Sequence, residues 1–391
     1  MRQHAIATPR VRVHRRRRHA MPRLVRYIED RFLALPIGAA IALVWANTAA
    51  ETYFVTAQTM RFVVNEIAMA FFFGLIMQEI LEATMHGGAL HSWRRWSLAL
   101  VGAAGGVVGA SGAYLLYVHG HYESLLVGGW PIACAVDVAA AYYVLKSLLP
   151  KSGLLPFVLL LAIATDLFGI LVVAPRYPGA APRAGGAVLF IAALAVAAAM
   201  RAKRVRAFWP YLAVCGTLSW LAFFWEGLHP ALALVPIVPF LPHEPRRLDL
   251  LADPPDDDAV HHFEHEWNSV VQATLFLFGL VNGGVMLRGY DTGTWALLLA
   301  ALVGRPLGIL AAVAIAVAAG LHLPRGVHWR QLVVAAFALS SGFTFALFFA
   351  SGILSTGPIL MQLTMGALMT AAGSLLALGA ARALRVGRFA R

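Results

Sequence analysis

Two carboxylates and one guanidinium stand alone in otherwise apolar sequence. Asp137 lies in GWPIACAVDVAAAYYVLKSLL and Asp166 in LLPFVLLLAIATDLFGILVVA, each near the middle of a stretch long enough to cross a bilayer. Arg305 lies in LLLAALVGRPLGILAAVAIAV. A charge at the centre of a spanning helix costs roughly 2.5–3.5 kcal/mol even on insertion scales. Groups kept at that cost point to use: carboxylates that take up a cation or a proton, and a fixed positive charge that compensates one or both of them. A guanidinium stays protonated in a protein, so Arg305 must be paired or reach water. A snorkelling arginine is the alternative, but apolar sequence extends well to both sides of this one.

Helix breakers accompany these charges. Gly128, Gly129 and Pro131 precede Asp137 and are expected to interrupt its helix and free backbone groups near the carboxylate. Gly304 and Pro306 flank Arg305, and Ser340-Ser341-Gly342-Phe343-Thr344 interrupts a third apolar stretch, with Gly342 as its breaker. A broken helix beside a buried acid, at membrane depth, is how secondary transporters hold a cation.

The elements that must carry these residues are spanning helices. Of 391 residues 60% are hydrophobic and 13% charged, and the mean hydropathy is +0.72, far from the quarter charged of a soluble domain. The expected fold is an all-α integral membrane protein with about twelve transmembrane helices of roughly 20 residues each. They lie near 32–49, 62–84, 97–118, 126–149, 154–175, 185–201, 208–225, 227–242, 267–287, 293–320, 329–352 and 356–383. The segment 227–242 is the shortest. The third to fifth and the tenth to twelfth segments each contain an interrupted middle helix, the pattern of an inverted-topology repeat.

The net charge of +12 reflects topology rather than nucleic-acid binding. The first 31 residues hold ten arginines, including Arg15 to Arg18, and the first acid is Glu29. An organelle transit peptide has that composition; so does a cytoplasmic tail held inside by its charge. The loops favour the tail. On an inside-start topology the outer loops carry only Arg61, Arg176, Arg183 and Arg288, and apart from Arg305 all other Lys and Arg lie inside, which places both termini in the cytoplasm. Residues 1–30 are thus expected to be a basic tail and 31–391 the transmembrane domain. The two cysteines, Cys134 and Cys215, lie in apolar segments and form no metal spacing or disulfide framework. No catalytic triad, phosphate loop or cofactor motif appears, so nothing supports an enzyme.

Several stretches together resemble one family, the NhaA-type sodium/proton antiporters, over residues 31 to the C-terminus. GWPIACAVD is similar to the family's Trp-Ala-Ile-Pro-Ala-Ala-Thr-Asp and sets Asp137 on its fourth-helix aspartate. LAIATDLFGI resembles the Asp-Asp-Leu-Gly stretch and sets Asp166 on the second aspartate of that pair. GRPLGI resembles Gly-Lys-Pro-Leu-Gly-Ile and sets Arg305 on the lysine. LPRGVHWRQL and SGFTFALFFAS echo Leu-Pro-Glu-Gly-Val-Trp-Arg-Gln-Leu and Gly-Phe-Thr-Met-Ser-Leu-Phe-Ile. The resemblance implies two inverted three-helix repeats, about 97–175 and 293–383, whose broken helices cross near the midplane beside an interface domain. It also implies exchange of Na⁺ or Li⁺ for H⁺ in a bacterial inner membrane. A homodimer follows by the same analogy, although the link AAETYFVTAQTM is too short for the β-hairpin that joins subunits in some members.

The departures bear on mechanism. Thr165 stands for the first aspartate of the pair, Arg305 for the lysine, and Val136 for the threonine before the fourth-helix aspartate. Family members are expected to exchange two protons per sodium using the aspartate pair and possibly the lysine; here one carboxylate is gone and the arginine cannot release a proton. Asp166 then alternates between a proton and Na⁺, with the Thr165 hydroxyl, main-chain carbonyls and water as neutral oxygen ligands, which implies 1:1 electroneutral exchange. Two other readings stay open: a transporter of another solute, such as an anion drawn to Arg305, or an inactive homologue in which Arg305 locks Asp166.

The resemblance also offers pH-response candidates. Glu79 matches a glutamate of the cytoplasmic funnel, Glu264 and His265 match a sensing Glu-His pair, and His229 in EGLHPALAL matches a histidine linked to pH dependence. Ordinary interfacial charge, a solvated linker and a structural histidine are the respective alternatives. Glu66 and Glu82 share the second segment, Glu66 toward its outer end. A transition-metal site at His261, His262 and His265 would need a ligand spacing that the loop does not repeat.

Overall fold

The computed structural model describes residues 33–84, 93–149, 152, 154–173, 184–205, 207–241, 259–287, 290–324, 326–354 and 357–390. The basic tail and most of the acidic loop, residues 242–258, lie outside them. Every regular element among the described residues is helical. Five helices are long and apolar enough to cross a membrane, or six if one bent pair counts as a single span. This is a multi-pass membrane protein, and side chains such as Val108, Leu116, Ile315 and Leu375, at least 70% exposed, give its helices an apolar outer face suited to lipid.

In chain order, α1 (Ala34–Thr48) is followed by α2 (Ala50–Phe62), which passes through a π turn (Val63–Ala68) into α3 (Met69–Thr84). The stretch 50–61, expected to be a link, is therefore helix. Next come α4 (Trp93–Gly120), a short α5 (Trp130–Ala133), α6 (Val138–Leu148), α7 (Leu154–Val173) and α8 (Ala184–Ala202). A π turn (Tyr211–Gly216) leads into α9 (Thr217–Glu226), which ends on Gly227 in the left-handed region at φ 70°. α10 (Ala259–Asn282) precedes α11 (Thr292–Leu299), a π turn (Ala300–Gly304) and α12 (Arg305–Ala318). The chain closes with α13 (Trp329–Ala338), α14 (Phe343–Ile353), α15 (Pro358–Met369) and α16 (Ala372–Ala383).

Three expectations need correcting. Residues 227–241 form no spanning helix; they fold as buried turns with two 3₁₀ pieces, Pro230–Leu232 and Val238–Phe240. Pro230, Pro236 and Pro239 each remove a backbone donor, so a continuous ladder is impossible. Gly304 and Pro306 do not break a helix either: Thr292–Ala318 is continuous, and the π turn just before Arg305 makes room for the proline ring. Gly129 and Pro131 begin α5 rather than end it, Pro131 sitting in the first turn where its missing N–H costs nothing. The interruption falls later, at Cys134–Asp137, and contains no breaker residue.

The glycines of the tenth segment serve packing instead. α4 and α12 approach so closely that a Cβ on Gly109 would strike the Gly304 carbonyl, and one on Gly105 the Gly308 carbonyl. Small residues on both faces let the two backbones touch, which is how helices gain dispersion energy in lipid. Gly109→Val must push the helices apart, and overpacking of this kind costs about 1–3 kcal/mol. The expected result is a lower unfolding temperature in detergent than for Gly112→Val, a position with open space around it. Equal temperatures for the two variants would contradict the close approach.

Candidate functional site

α5 and α6 flank one interruption, and α13 and α14 flank another, with a bend of 43° between the latter pair. The two gaps cross. Asp137 N–H donates to the Ser341 carbonyl at 2.8 Å. A Cβ on Gly342 would collide with the Ala135 carbonyl, so the sequence breaker Gly342 is also a contact that only glycine permits. The Asp137–Ser341 bond satisfies backbone groups that helix ladders leave open at each gap, a requirement of any irregular backbone within a membrane.

Asp137 (5% exposed) caps α6: its Oδ1 accepts from Ala140 N at 3.0 Å, and its Oδ2 accepts from the Thr344 hydroxyl in the first turn of α14. A carboxylate there faces the amide ends of two helices, where the partial positive charge favours an anion. Arg305 has the opposite position. Its Nη1 donates to the Leu339 carbonyl at 2.9 Å, at the C-terminal end of α13, and its Nη2 donates to the Ala133 carbonyl, the last of α5. The fully buried cation thus holds the carbonyl ends of the two helices whose continuations Asp137 joins, α6 through the Ala140 amide and α14 through the Thr344 hydroxyl.

Asp166, 1% exposed on α7, is held more loosely. Its Oδ1 accepts a long bond, 3.4 Å, from Val136 N, and its Oδ2 has no partner among the described residues. No hydrogen bond or ion pair joins it to Arg305, whose two bonds go to carbonyls. Thr165 is equally buried, and its hydroxyl donates back to Leu161 O at 2.8 Å, leaving only oxygen lone pairs to offer. The structure therefore brings Asp137, Thr165, Asp166, Arg305 and Gly342 to one crossing. Thr344, which holds Asp137, was legible in sequence only as part of a breaker cluster; a hydroxyl one turn past a helix break is the signal that marks it.

The pH-response candidates lie elsewhere. His229 is buried at the start of the Pro230 turn, its Nδ1 3.3 Å from Glu66 Oε2 and its ring 4.6 Å from that of Phe348. The same nitrogen accepts from Ala231 N at 3.4 Å and so caps the Pro230 turn, whereas Glu66 Oε2, from the π turn between α2 and α3, makes no hydrogen bond among the described residues. Glu79, Glu264 and His265 sit on α3 and α10, but their side chains lie outside the described residues.

The Na⁺/H⁺ antiporter 1 family model matches residues 31–382. The chain belongs to this family. Relatives agree with it end to end. A protein named Na(+)/H(+) antiporter NhaA from Geotalea uraniireducens is 36% identical over 379 residues, covering 94% of this chain and 98% of its own length. Proteins of the same name from Geobacter sulfurreducens and Desulfitobacterium hafniense are 36% and 35% identical over 382 and 381 residues. Within the Na⁺/H⁺ antiporter 1 family, this member carries Thr165, Arg305 and Val136 beside Asp137 and Asp166, with one carboxylate oxygen, Asp166 Oδ2, unengaged among the described residues and the two guanidinium NH₂ groups each bonded to a carbonyl.

Proposed function

We propose that this chain exchanges Na⁺ or Li⁺ for H⁺ across a bacterial inner membrane, one for one, with Asp166 as the shared cation and proton site. The observation that carries the reading is the free Oδ2 of a buried Asp166 that Arg305 does not pair with. A carboxylate with an open coordination position can take a hard cation or a proton but not both, and Asp137, whose two oxygens accept from the Ala140 amide and the Thr344 hydroxyl, is the fixed charge rather than the carrier. Arg305 cannot give up its proton. One exchangeable carboxylate therefore moves one proton per cation. The locked-site alternative requires an Arg305–Asp166 pair, and the anion alternative requires free guanidinium donors beside no acid; the geometry favours neither.

The rest of the reading follows the same assignment. About eleven spans, both termini cytoplasmic, form inverted repeats near 97–175 and 293–383 around the site, with an interface domain and a homodimer that lacks the hairpin. Glu79, Glu264, His265 and His229 set the pH response. No covalent chemistry is involved, and the chain is a transporter rather than an enzyme.

Proteoliposomes with a ΔpH-reporting dye test this. Adding Na⁺ or Li⁺ should dequench the dye equally with and without a clamped membrane potential. Dequenching that follows the potential would sink the one-for-one stoichiometry, and no dequenching by any of Na⁺, Li⁺ or K⁺ would sink the antiporter reading. Thr165→Asp combined with Arg305→Lys adds titratable groups and should make the exchange voltage-sensitive.

A further inference from the structure

We propose that the Ser341 hydroxyl is a neutral oxygen ligand of the transported cation, acting with Asp166 Oδ2 at the crossing of the two interrupted helices. The inference rests on the antiport reading above and adds a residue that sets cation affinity.

The hydroxyls around the crossing are otherwise committed. Thr165 donates to Leu161 O, Ser340 to Ala336 O, Thr344 to Asp137, and Thr370 to Ala367 O while accepting from Gly342 N. Ser341 is the exception: it is 1% exposed and its Oγ has no partner among the described residues. A buried hydroxyl without a partner is costly, and structures keep one where something else completes it. Its surroundings say what that is. The Ser341 backbone binds the amide of Asp137, the neighbouring amide of Val136 binds Asp166, and Arg305 bonds to Leu339 two residues before it. The other unpartnered buried atoms at this crossing are Asp166 Oδ2 and Arg305 Nε.

Two unsatisfied oxygens, one of them anionic, suit a small hard cation, and a cation of this kind needs more oxygen donors than one carboxylate supplies. Val136 presents no oxygen at the position before Asp137, and Thr165, with its proton on its own helix, offers a single neutral oxygen, fewer than such an ion needs. Arg305 Nε cannot touch a cation but can donate to a water that the ion retains. Ser341 thus supplies a neutral ligand that leaves the charge balance, and hence the stoichiometry, unchanged.

The test is Na⁺- and Li⁺-driven dequenching by wild type, Ser341→Ala, Ser341→Thr and Ser341→Cys in proteoliposomes. Ser341→Ala should raise the apparent KM for Na⁺ about tenfold, the weight of one lost ligand contact, with the rate at saturating cation unchanged. Ser341→Thr should keep the wild-type KM. Ser341→Cys, which keeps the volume but offers soft sulfur to a hard ion, should follow Ser341→Ala and serves in its place if the alanine variant is not recovered folded. An unchanged KM for both ions, or a fall only in the saturating rate, would overturn the role of Ser341 while leaving Asp166 as the site. An inactive wild type would instead overturn the antiport reading itself.

Discussion

Asp166→Asn is expected to reduce cation-driven proton movement to the level of vesicles without protein, while the variant remains folded. The amide has almost the shape of the carboxylate, and its oxygen can still accept from Val136 N, the one hydrogen bond that the Asp166 side chain makes among the described residues. What it lacks is the ability to be charged. It can neither release a proton nor offer an anionic oxygen to Na⁺, and both halves of the exchange vanish together. Asp137→Asn is the informative contrast. Asparagine caps a helix as well as aspartate does, so this variant should fold and keep measurable exchange with altered cation affinity. The measurement is initial dequenching rate in proteoliposomes across a pH series, beside the unfolding temperature of each variant. Undiminished exchange in Asp166→Asn would place the carrier elsewhere.

Arg305→Leu is expected to be the most destabilising single change at the site. It strips donors from the Ala133 and Leu339 carbonyls, both at helix ends in a water-poor interior, and each buried acceptor left unsatisfied costs about 1–3 kcal/mol. It also removes the positive charge between two carbonyl ends, and two such orphaned acceptors together cost about 2–6 kcal/mol. The crossing should then fail to hold its shape, with poor recovery from membranes and early unfolding in detergent. Arg305→Lys keeps the charge but replaces a planar fork by a compact ammonium, which cannot reach two carbonyls from one rigid plane in the same way. It should fold with intermediate stability. If Arg305→Leu were as stable as wild type, the guanidinium could not be what secures the helix ends.

How much of this was legible in the sequence can be judged residue by residue. Asp137, Asp166 and Arg305 stood out because isolated charges in apolar sequence are expensive wherever they fold. Gly342 stood out as a breaker and lies at the N-cap of α14. The same rule misplaced the first interruption: Gly129 and Pro131 are breakers that begin a helix, while Cys134–Asp137, which is the gap, contains none. It also read a break at Gly304 and Pro306, where a π turn carries the helix through and Gly304 exists to let α4 approach. Nor did charge pattern reveal that Arg305 bonds to carbonyls rather than to an aspartate.

Membrane residence and the cost of each buried charge were determined by the sequence alone, because each depends on one residue and its solvent. The tertiary structure decided where the helix before Asp137 ends, which carboxylate stays free, and that Ser341 has no partner. Those outcomes depend on backbone groups satisfied across long separations in the chain, Asp137 by Ser341 and Ala133 by Arg305. In a medium without water, an amide or carbonyl can leave its helix only where a distant residue is already waiting to bond it.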